Sequence, residues 1–105
     1  MDMNQMMKQA QKMQLDLARA QEEIKELSYT STVGGGAVSA TALGSGTIER
    51  LTIDPEAVDP DDVEMLQDLV IAAVNEALRG VAAKGEERLA AVTGGMGLPG
   101  MPGLF

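Results

Sequence analysis

The side chains able to do chemistry in this chain are few in kind, and their spacing sorts them. Lys8, Lys12, Arg19 and Lys25 fall in the first 25 residues. Seven carboxylates, Asp54, Glu56, Asp59, Asp61, Asp62, Glu64 and Asp68, crowd a segment that holds no Lys or Arg and carries most of the net charge of −8. Histidine and cysteine are absent, which excludes an imidazole base, a thiol nucleophile and any zinc site built from those ligands. No serine lies in a nucleophile-elbow pattern. The carboxylates lack the ligand order and turn glycine of an EF-hand, and no apolar pocket is foreseen that would raise the pKa of a pair. Gly34-Gly35-Gly36 would be a phosphate cradle only with the lysine or the glycine spacing that it lacks. A hairpin turn is the stronger reading. The chain is therefore predicted to be no enzyme and to need no cofactor or metal. Two classes remain: a DNA-binding dimer, or an adaptor that binds protein.

The cations must be positioned by the first helix, predicted over Met3 to Leu27. Met3, Met6, Ala10, Met13, Leu17, Ala20, Ile24 and Leu27 follow at intervals of 3, 4, 3, 4, 3, 4 and 3, the heptad of a coiled-coil seam. With Met6 and Met13 at d, Lys8 falls at f, Lys12 and Arg19 at c, and Lys25 at b, all outward positions. Solvation alone accounts for that placement, and a phosphate-contacting face is the functional alternative. No other stretch matches the heptad, so the seam is expected to lie on its own domain or on a second copy.

Three short strands should follow, Ser28–Val33, Ala37–Leu43 and Thr47–Ile53, separated by the glycine run and by Gly44-Ser45-Gly46. They form an antiparallel meander in an α+β fold. Leu51 and Ile53 share one face, and Ile48 joins them only if a bulge intervenes. Asp59-Pro60 is predicted to cap and open a second helix. Its stripe runs from Val63 through Leu66, Val70, Ala73, Ala77 and Val81, widened by Leu69, Val74 and Leu78. Gly80 and Gly85 then mark a bend or a close approach. A single domain is read over residues 1–93, and residues 94–105 form a Gly/Pro-rich apolar tail that would dock on a groove or stay disordered. With one Phe, one Tyr and no Trp, the core is poor in large side chains, and oligomerisation would add buried area. Leu51, Ile53, Leu66 and Val70 are the candidate core and dimer residues. The longest apolar run, Leu69 to Val74, is far too short to cross a bilayer. A soluble cytoplasmic protein without a membrane role is expected.

Several segments taken together resemble the YbaB/EbfC family of bacterial nucleoid-associated proteins. They are Met6-Met7-Lys8-Gln9-Ala10-Gln11-Lys12-Met13-Gln14, Gly34-Gly35-Gly36 before a strand, and Ile53-Asp54-Pro55. Glu64-Met65-Leu66-Gln67-Asp68-Leu69 and Ala72-Ala73-Val74-Asn75-Glu76-Ala77 continue the likeness, and Thr93-Gly94-Gly95-Met96-Gly97-Leu98-Pro99-Gly100 ends it. The resemblance implies an α-β-β-β-α homodimer joined through its sheets, with the long helices as projecting arms. It further implies cytoplasmic binding of duplex DNA on the nucleoid, with effects on compaction or expression. The family's association with recombination-repair genes keeps the adaptor open. Its DNA contacts are not a fixed motif, so Lys8, Lys12 and Arg19 rest on helix geometry, with Arg88 added from the second helix.

Overall fold

The computed structural model describes residues 2–94. In chain order they form α1 (Met3–Glu26), β1 (Ser28–Val33), β2 (Val38–Leu43), β3 (Ile48–Ile53), a short 3-10 turn (Pro55–Ala57) and α2 (Val63–Gly94). This is an α+β fold of order α-β-β-β-α with an open antiparallel sheet, β1-β2-β3. The remainder of the apolar tail, residues 95–105, lies outside the described residues.

Local chemistry sets most boundaries. Asp2 opens α1 by accepting from the Gln5 amide at 2.8 Å, and the Leu27 amide closes it on the Ile24 carbonyl at 3.1 Å. Gly34, Gly35 and Gly36 take φ values of 64°, 66° and 98°, a left-handed run that a side chain would oppose. Between β2 and β3 the register shifts: Thr41 pairs with Arg50, but Ala42 pairs with Ile48. Glu49 is the extra residue of this bulge, and Ile48 thereby turns onto the core face.

The opening of α2 differs from expectation. Asp59 does not cap it. Its carboxylate accepts from the Asp61 amide at 2.9 Å, closing a turn on itself, and the cap passes to Asp62, which accepts from the Met65 amide at 3.1 Å. In a run of aspartates each one competes for the nearest free amide, so the proline at position 60 marks a turn and not the first helical residue.

The core is a layer of small side chains. Val38, Ala40 and Ala42 of β2 are fully buried against Ala73, Ala77 and Val81 of α2. Leu66, Val70 and Ile53 pack half-buried around them. Because α2 lies over β1 and β2, Leu51 on β3 stays 43% exposed in the single chain. The side toward β1 is closely joined. Ser31 Oγ donates to Glu76 Oε2 at 2.7 Å, and Lys84 Nζ donates to the Ser28 carbonyl at 2.7 Å. The Tyr29 ring lies directly on Gly80, where an added Cβ would come within 2.3 Å of it.

The seam of α1 divides in two. Ala20 is buried, and Met13, Leu17, Ile24 and Leu27 are half-buried, because α2 runs past the sheet and its last turns lie against α1. Gly85 allows this approach, with Ile24 Cγ2 placed 3.1 Å from where a Cβ would stand. The seam therefore has a partner within the chain for its second half, despite the missing heptad. A small-residue gap on α2 substitutes for a matching stripe. Met3, Met6 and Ala10 remain exposed.

Gly80→Ala is expected to lower stability by about 1–3 kcal/mol in urea unfolding, the usual cost of overpacking, although alanine is the better helix former by about 1 kcal/mol. In a Tyr29→Ala background the same substitution should become stabilising. A stabilising effect in the wild-type background would show that the Tyr29 ring does not constrain position 80.

Candidate nucleic-acid interface

α1 and the end of α2 run antiparallel and enclose an open groove of about 600 Å³. Gln9, Lys12, Met13, Asp16, Arg19, Ala20 and Glu23 line it from α1, and Arg88 and Val92 from α2. Two of the predicted cations are thus not turned away from the helix pair. α2 sits against the d and g positions of α1, which brings the neighbouring c positions, Lys12 and Arg19, to the rim. Lys8 lies one turn before Lys12, outside the groove lining, and is exposed. Among the described residues Lys8, Lys12 and Arg19 enter no ion pair.

Arg88 differs. It forms an ion pair with Glu23 across the two helices, and both side chains keep over two-fifths of their surface exposed. Lys25 pairs with Glu22 along α1 at 3.2 Å. The groove therefore mixes three cations with Asp16 and Glu23. The heptad gave no signal for the Glu23–Arg88 pair, whose members are far apart in sequence and meet only through the antiparallel packing.

The acidic segment lies at the opposite end of α2. Asp54 accepts from the Glu56 amide at 3.0 Å, and Asp59 and Asp62 satisfy the amides described above, so part of this cluster is local capping. From Val63 to Arg88, α2 spans about 38 Å at 1.5 Å per residue, several Debye lengths at physiological salt. Within a molecule 72 Å long, the acidic end scarcely offsets the field around the arm. Among the described residues no group of three or more Asp or Glu is placed to hold a metal ion. No helix among them is long and apolar enough to cross a membrane.

Fold and groove together define a small α+β binding module whose unpaired cations ride on a helical arm. Residues 1–96 match the family described as the YbaB/EbfC DNA-binding family, and the chain belongs to that family. A nucleoid-associated protein of Acetivibrio thermocellus is 54% identical over 99% of this chain and 90% of its own length. One from Streptomyces avermitilis is 48% identical over 98% and 91%. The crystal structure of the uncharacterized protein HP0035 from Helicobacter pylori superposes with a TM-score of 0.64 at 29% identity, covering 86% of this chain and 94% of that one.

Exposed ion pairs contribute little to stability. Arg88→Ala and Glu23→Ala should each shift unfolding by no more than about 1 kcal/mol, the upper end for such pairs. A larger loss in thermal or urea unfolding would make the pair a structural clamp between the helices.

Proposed function

We infer that this chain binds duplex DNA as a homodimer with low sequence specificity, acting on the nucleoid in the cytoplasm to organise DNA or modulate expression. The observation that carries the reading is the set of exposed, unpaired cations Lys8, Lys12 and Arg19 on one arm, remote from the acidic segment. Family membership supports DNA as the partner. Gln5 and Gln9 flank these cations and would donate to phosphate or base edges. No aromatic residue lies on α1, so base stacking would contribute nothing. Arg88 is the fourth contact, reached once phosphate competes with Glu23.

The homodimer is supported by apolar surface left beside β3. Leu51, Val58, Val63, Met65 and Ile71 are all exposed in the single chain, more clustered apolar surface than a solitary small domain usually shows. A second copy lying there would bury it in the closed twofold arrangement usual for homo-oligomers. The same strip, bordered by the acidic segment, favours the second reading, an adaptor for a basic protein of recombination and repair.

Light scattering at micromolar concentration should return twice the 11.0 kDa chain mass; a monomer would refute the homodimer. In gel shifts at several salt concentrations, about six phosphate contacts per dimer would give a log–log slope near −5. The triple substitution Lys8→Glu, Lys12→Glu, Arg19→Glu should abolish binding while leaving the dimer folded. Unchanged affinity would move the interface elsewhere. Failure of the wild type to bind even at low salt would favour the adaptor, which a lysate pull-down with and without nuclease would then reveal.

A further inference from the structure

The first half of the α1 seam has no cover among the described residues. Met3 and Met6 are 71% and 55% exposed, although they continue the line along which Met13, Ala20 and Ile24 meet α2. The groove closes opposite Gln9 and Met13, where Val92 forms its other wall. The described part of α2 ends two residues later, at Gly94. We propose that the uncovered seam is the seat of the chain's own last residues, 95–105, which lie along α1 from Met13 toward Met3.

Three observations favour this occupant. Direction is the first. Because the two helices are antiparallel, a chain leaving Gly94 already heads toward the start of α1 and needs no reversal. Reach is the second. The seam from Met13 back to Met3 is about 15 Å of helix, and eleven extended residues reach up to about 36 Å, so the segment spans the seat with slack. The third is composition. Residues 95–105 contain Met96, Leu98, Met101, Leu104 and Phe105 and no charged side chain. Pro99 and Pro102 oppose a simple continuation of α2. Methionine suits such an occupant, since its unbranched thioether adapts to an irregular surface.

A second copy is the competing occupant. Tethering decides against it: a short linker holds its segment at millimolar effective concentration, far above the micromolar concentration of another chain. Docking also supplies what the arm lacks. An uncovered helical end is marginal in water on its own, and the tail would hold in place the turns that carry Lys8 and Lys12.

Photo-crosslinking of the full-length chain tests this directly. Met6 is replaced by benzoylphenylalanine, and equal amounts of ordinary and 15N-labelled chains are mixed before irradiation. Crosslinks from position 6 to residues 96–105 without mixed-isotope products are the expected result. Mixed-isotope products, or no crosslink to the tail, would overturn the proposal. In parallel, Leu104→Ser/Phe105→Ser should speed amide exchange at residues 3–12 several-fold while residues 66–81 keep their protection. Unchanged exchange at residues 3–12 would equally overturn it. Neither measurement involves DNA, so the result stands apart from the proposed function.

Discussion

The contact on which the rest depends is alanine against alanine. Ala40 and Ala42 meet Ala73 and Ala77 with nothing larger between them, so α2 seats close to the sheet. Close seating brings Tyr29 onto Gly80 and Ser31 within reach of Glu76, and it fixes the line along which α2 continues past the sheet to meet α1. Burial per residue is small in such a layer, which is why half-buried leucines and valines at its margins matter. Those margins are unequal. Hydrogen bonds and an aromatic ring finish the side toward β1, whereas the β3 side is left apolar and open.

Much of this was legible along the chain. The heptad of α1, the three strands, the glycine turns and the stripe of α2 each follow from periodicity and turn chemistry. Ile48 carried a conditional statement, core-facing only with a bulge, and the extra residue at Glu49 meets the condition. What could not be read depended on competition or on distance. Asp59 and Asp62 are equivalent as cap candidates until the backbone chooses which amide each one faces. The placement of Lys12 and Arg19 at a rim required knowing on which side of the seam the partner helix lies. The heptad implied a symmetric partner, but the partner is the end of α2, recognisable only in hindsight by Gly85. The Glu23–Arg88 pair was invisible for the same reason.

Charge in this molecule is separated along its length, not balanced locally. The carboxylates before and within the first turns of α2 are partly consumed in holding amides, and they favour the positive end of that helix. The arm carries its cations where few acids interrupt them, with Asp16 and Glu23 in the groove and Glu22 nearby. An acidic total is therefore compatible with attraction to a polyanion, because at working salt a phosphate responds to what lies within about 10 Å. The acidic end also discourages any approach of DNA to the body of the domain, which leaves contact to the arm.

The far face of the sheet, away from α2, has a different character. There Thr30 meets Thr41 at 2.7 Å and Thr32 meets Ser39 at 2.9 Å, and in each pair either hydroxyl can be the donor. Such a pair can reverse its polarity by rotating two hydrogens, with no change in any heavy atom. The surface consequently displays no settled order of donors and acceptors, much as ice carries proton disorder within a regular oxygen lattice. A complementary surface would have to freeze one of several equivalent arrangements and lose that entropy. The face is thus wettable yet poor at molecular recognition, a useful neutrality for a protein crowded among its own copies.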